Sequence, residues 1–209
     1  CCPSAGRPLR PAGDPSAAGV ALAAEGAGVL PDRSALVSSV AAPTGQRCAD
    51  LLDLHAAVAG ELAARVEAGT PLAALRAETA QLFRAAMGRA ARGGSPSDAA
   101  AARLIVGLVD VAARDAVLAW AAEDDTNGLL SLLLDLVGRA VEPFDPPVAT
   151  ALAWVAHARG DGTLANIAVA RALASDPAYS MARLVAAGLD AGLHPRYIRE
   201  VSRTVAEES

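Results

Sequence analysis

The chain has 209 residues, a formal net charge of −5 at neutral pH, 53% apolar residues and only 3% aromatics. That acidic balance argues against a general binder of nucleic acid or of anionic lipid, since both need a basic surface. The most apolar run, Gly128 to Gly138, carries Asp135 and falls short of the ~20 residues that span a bilayer.

About a quarter of the residues are Ala, the best and one of the smallest helix formers, so neighbouring helices can approach closely. Such a core buries little area per residue and, at about 25 cal/mol per Å², needs many helix contacts to offset chain entropy. Stacking of successive units meets that need. All 18 basic residues are Arg, and with the heavy use of Ala, Gly and Pro this points to a GC-rich coding bias. A local basic group at Arg84, Arg89 and Arg92 reads as a solvated helix end. The three cysteines, Cys1, Cys2 and Cys48, do not make a disulfide framework, and a reducing cytoplasm fits them best. Cys1 and Cys2 are either free thiols on a mobile terminus, the preferred reading, or half of a metal site completed upstream. The chain starts without Met or a signal-peptide pattern, so an upstream portion is expected to be missing.

In chain order, residues 1–15 hold four prolines and read as an extended tail. Short helices are expected from Ser16 to about Gly28 and from Pro31 through Val40, followed by a linker from Ala42 to Arg47. From Ala49 to Ala68, Leu51, Leu54, Val58, Leu62 and Val66 recur at spacings of three and four, which predicts one amphipathic helix. Gly69 stops it, Thr70-Pro71 opens the next, and the two should close as an antiparallel hairpin. Gly93 to Ser97 is the best internal boundary, dividing N-terminal helices over 16–92 from helical hairpins over 98–209, all within one continuous domain 16–209.

Beyond it, Ser97 or Asp98 caps a single long helix predicted to reach about Ala122. Asp124 to Gly128 ends that helix, and the next, to Val141, is apolar on most sides and expected to be the most buried. Further helices are predicted over Pro147–Arg159, Thr163–Ser175, Ala178–Ala191 and Pro195–Glu207. The fold class is therefore all-α, built of stacked antiparallel helical hairpins.

One stretch is patterned. Gly160-Asp161, Ala165, Ala172-Leu173 and Asp176-Pro177 resemble the tetratricopeptide repeat, a helix pair of about 34 residues. Pro143 and Pro177 lie 34 positions apart, as do Leu118 and Leu152. Ala149 and Ala156 stand where that motif places large residues, so generic hairpins remain open beside true repeats.

Little in the chain carries chemistry. His55, His157 and His194 have no partner at metal or catalytic spacing, and no catalytic, cofactor-binding or metal residue is assigned. Asp110, Arg114 and Asp115 cluster on one helix face, where Arg114 is expected to pair with Asp110 one turn earlier. Asp124, Asp125 and Asn127 lack the ligand set of a calcium loop and read as a turn. Gly160-Asp161-Gly162 follows no strand and is not a phosphate loop. Candidate contacts for a partner or ligand are Arg114, Asp115, Trp154, His157 and Arg159. For Trp154 the plainer reading is a core aromatic, and for His157 an exposed imidazole at a helix end.

The opening CCPSAGRPL, VLPDR at Val29 to Arg33, RDAVL at Arg114 to Leu118, and Trp154 with the long block Ala158 to Leu184 resemble an actinobacterial family, domain of unknown function 4192. The resemblance implies the C-terminal half of a cytoplasmic protein, and it brings no catalytic residue with it. Two functions of different class follow. The first is an interaction or scaffold module that binds a protein partner or the missing upstream half. The second is a ligand-binding or enzymatic domain with a polar pocket around Arg114 and Asp115; a purely structural domain is the remaining reading.

Overall fold

The computed structural model describes residues 33–208; the tail over 1–15, the short helix after Ser16 and the cysteines Cys1 and Cys2 lie outside the described residues. Among the described residues there are ten α-helices and no strand. They are α1 (Arg33–Ser39), α2 (Gly45–Glu67), α3 (Leu72–Ala90), α4 (Asp98–Gly107) and α5 (Val111–Ala119). After a 3-10 turn at Trp120–Ala122 come α6 (Asn127–Val137), α7 (Asp145–Ala158), α8 (Gly162–Ser175), α9 (Ser180–Asp190) and α10 (Pro195–Glu208). No helix of the described residues is long and apolar enough to cross a membrane.

The apolar stripe of α2 does what its spacing predicts only in part. Leu51 and Val58 are buried, but the same face also buries His55, and Val66 is left 43% exposed. α2 rests on α4 through a small cluster of Val58, Ala102 and Val106, with Phe144 beside them. It makes little direct contact with α3, its expected hairpin partner, although Arg65 reaches Glu78 across the gap at 2.7 Å. α3 packs instead on α5 and α6. The reason is visible at Gly128: an added Cβ there would stand 2.6 Å from the Met87 carbonyl oxygen, so glycine lets the backbones of α6 and α3 meet. The first hairpin is thus splayed rather than closed.

The long helix expected from Ser97 to Ala122 is broken. Ser97 does cap α4, accepting from the Ala100 amide at 3.3 Å, but α4 ends at Gly107. Asp110 then opens α5, its carboxylate accepting from the Ala113 amide at 2.9 Å. An Asp in extended conformation satisfies a helix start better than a helix interior, and that preference outweighs the continuous apolar pattern. The break also redirects Asp110. Its partner is Arg76 on α3, bonded through both carboxylate oxygens at 2.9 and 3.0 Å, not Arg114. The Arg76 guanidinium holds the Asp110 carboxyl below the usual range.

A second correction concerns the centre of the molecule. α6 buries Leu129, Leu132, Leu133, Leu136 and Val137 but leaves Ser131 exposed, whereas all fourteen residues of α7 are buried. α7 is enclosed by α6, α8, α9, α10 and the 3-10 turn. Its closest neighbour is α8, to which the chain returns through Gly160 at φ +87°. Seven of the α7 residues are Ala or Pro, and side chains that small allow a helix to be covered on every side. Arg171 of α8 ties this centre to its surroundings, donating to the carbonyl oxygens of Val40, Val137 and Ala140 at 2.7 Å each and to Asp145 at 3.4 Å.

Candidate functional site

The last two helices repeat the splayed arrangement of the first hairpin. α9 packs on α8 and α10 packs on α5 and the 3-10 turn, with little contact between α9 and α10 themselves. Between them lies a groove of about 210 Å³. Met181 and Leu184 of α9 form one wall, and Val201 and Val205 of α10 the other. Leu118 and Trp154 lie deeper, and Arg114 and Asp115 stand at the edge. Leu184 is 64% exposed and Val201 48%, which is unusual for aliphatic side chains so close to one another.

The local sequence positions each group. Trp154 is buried because it projects from the enclosed helix α7, and its indole Nε1 donates to Ser202 Oγ at 3.0 Å. That bond pins α10 against α7. Arg114 donates through Nε and Nη2 to Asp115 Oδ1 at 3.0 and 2.7 Å, and through Nη1 to the Tyr179 hydroxyl at 2.9 Å. Burial alone would lower its pKa, but Tyr179 and Asp115 more than offset that and keep it above the ordinary arginine value. Asp115 uses only Oδ1 in this pair, and its side chain is 40% exposed at the groove edge. The arrangement can hold an apolar side chain in the groove and accept a hydrogen bond beside it. It holds no nucleophile next to a base.

The five residues singled out by the sequence therefore divide. Arg114, Asp115 and Trp154 come together at the groove. His157 does not join them: it is 5% exposed, its Nε2 donates to the Leu193 carbonyl at 2.7 Å, and Nδ1 is buried without a partner among the described residues. An exposed imidazole was expected, but the complete enclosure of α7 hides it. Arg159, just past α7, donates to Thr126 Oγ1 at 2.7 Å and to Asn127 Oδ1 at 2.9 Å, and lines a different, polar cavity.

Sequence reasoning missed Leu184, Val201 and Tyr179. Leu184 and Val201 each sit in a helical pattern in which any leucine or valine reads as core. Only the divergence of α9 from α10 leaves them outside. Asp125 behaves as a turn residue, its Oδ1 accepting from the Asn127 amide at 2.9 Å. Of the basic group, Arg84 is bound to Glu123 and lies 4.0 Å over the Trp120 ring, so it is not part of a free patch.

Neither the curated proteins nor the solved structures include a match to this chain. The family model described as Domain of unknown function (DUF4192) matches residues 1–196, nearly the whole length, and the chain belongs to that family.

Proposed function

We propose that this domain is a helical interaction module and that the groove between α9 and α10 receives an amphipathic helix of a protein partner. One observation carries the reading: Leu184 and Val201 stand largely exposed on facing walls above the apolar floor of Leu118 and Trp154. A helix presenting large apolar residues at intervals of three and four would bury them all, the mode in which grooves between helices bind peptides. A cytoplasmic setting belongs to the same proposal. So does kinship with tetratricopeptide arrays, supported by the tight α7–α8 pair turning at Gly160.

The alternative, a small-molecule or catalytic pocket at Arg114 and Asp115, has less behind it. The two charges neutralise one another, and the walls of the groove are mainly hydrocarbon. The test is site-specific photo-crosslinking on the full chain, with the cross-linker at Val201 or, as a control, at the exposed Leu82 of α3. A discrete protein adduct is expected at position 201 and not at 82, and it should disappear in Leu184→Glu. An adduct that survives Leu184→Glu overturns the groove as the binding surface.

A further inference from the structure

On the other side of α10 lies a polar cavity of about 360 Å³, into which Arg159, Arg199 and Arg203 converge. We infer that this cavity is a binding site for a small phosphate-bearing molecule. The inference stands apart from the groove: it uses different residues and a different face of α10.

Eight of the sixteen arginines of the described residues bond an Asp or Glu carboxylate. Of the other eight, Arg159, Arg199 and Arg203 line this one cavity together. Arg159 donates only to the neutral oxygens of Thr126 and Asn127, and Arg199 only to the carbonyl of Ala158 at 2.7 Å. The Arg203 side chain has no hydrogen bond or ion pair among the described residues. Two carboxylates share the wall, Glu123 and Asp124. Glu123 is already gripped by both ends of the Arg84 guanidinium, which leaves Asp124 alone against three cations. Glu207 lies in the adjoining cavity, which Arg203 also lines, and forms no ion pair with it.

A protein with a formal charge of −5 that gathers three guanidinium groups against one unengaged carboxylate in one concavity has a local excess of positive charge against its overall field. The neutral acceptors hold Arg159 and Arg199 in place while leaving their charge unspent, which is the preorganisation that oxyanion binding needs. Thr126, the residue before α6, and Ala158, the last of α7, also line the cavity, so helix ends of opposite dipole sign meet there and the arginines carry the net charge. Planar guanidinium forks match phosphate oxygens two at a time.

Isothermal titration of the full chain with pyrophosphate and with inorganic phosphate, at ionic strength held constant with chloride, tests this. Citrate serves as a carboxylate of comparable charge. Pyrophosphate is expected to bind, and Arg203→Glu, which removes an exposed side chain without partners, should weaken it by about tenfold or more. Arg196→Glu, an exposed arginine on the same helix outside the cavity, should leave it within about twofold. Equal weakening by both substitutions would reduce the effect to general surface charge and overturn the site. Absence of binding by both phosphates up to about 10 mM would also overturn it, and binding of citrate alone would overturn the phosphate assignment. Circular dichroism of each variant separates loss of binding from loss of fold.

Discussion

Replacing His55 with Leu is expected to stabilise this domain and to flatten its response to acid. His55 is fully buried on the face of α2 that meets α4, with its ring centroid 5.5 Å from that of Phe144. No group of the described residues bonds either ring nitrogen. A neutral imidazole has one donor and one acceptor, and burying such a group without a partner costs about 1–3 kcal/mol. Leucine removes both polar atoms at a volume close enough that the packing adjustment costs under about 1.5 kcal/mol. A net gain of roughly 1 kcal/mol at pH 7.5 follows, read as a higher urea midpoint at unchanged slope. Burial also lowers the imidazole pKa below its ordinary value of about 6.5. Between the lowered folded value and the unfolded one, the unfolded chain binds more protons, so stability falls as pH drops through that window. The advantage of His55→Leu must therefore widen from pH 7.5 to pH 5.5. A destabilised variant, or a difference that does not change with pH, would refute the reasoning and mean that solvent reaches the nitrogens.

Two further substitutions probe the centre. Arg171→Met strands the carbonyls of Val40, Val137 and Ala140 and the buried carboxylate of Asp145, which Ser175 alone would then bond; a loss of about 3–5 kcal/mol is expected by urea unfolding. A loss under about 1 kcal/mol would show that these acceptors find water instead. Gly128→Ala places a methyl against the Met87 carbonyl where α6 crosses α3, and should lower stability by about 1–3 kcal/mol, seen as a reduced Tm. An unchanged Tm would mean that the two helices can part without cost.

Helix existence was legible because it depends on local pattern. The spacing of Leu51, Leu54, Val58 and Leu62, the breaks at Gly69 and Gly93, and the turn at Gly160 all act through the backbone of a few residues. Which helix lies at the centre was not legible. The four leucines from Leu132 to Leu136 advertise burial more loudly than the alanines of α7, yet smallness rather than hydrophobicity decides which helix can be surrounded. The candidate site was legible in the same partial way. Arg114 and Asp115 are neighbours in sequence, and their pairing with each other is local; Tyr179 joins Arg114 from 65 positions away. His157 and Arg159 are two residues apart and end in unrelated surroundings, one sealed in the core and one in a charged cavity.

Local pattern was enough to show that the described residues are helical and where most of their helices begin and end, because caps, glycines and apolar periodicity act over a few residues. Packing between helices settled that the outer hairpins splay, that Asp110 serves Arg76, and that Arg159 shares a cavity with Arg199 and Arg203. Those outcomes depend on how closely particular backbones can approach and on which charges meet across α7 and α10, and neither is written in any local stretch of residues.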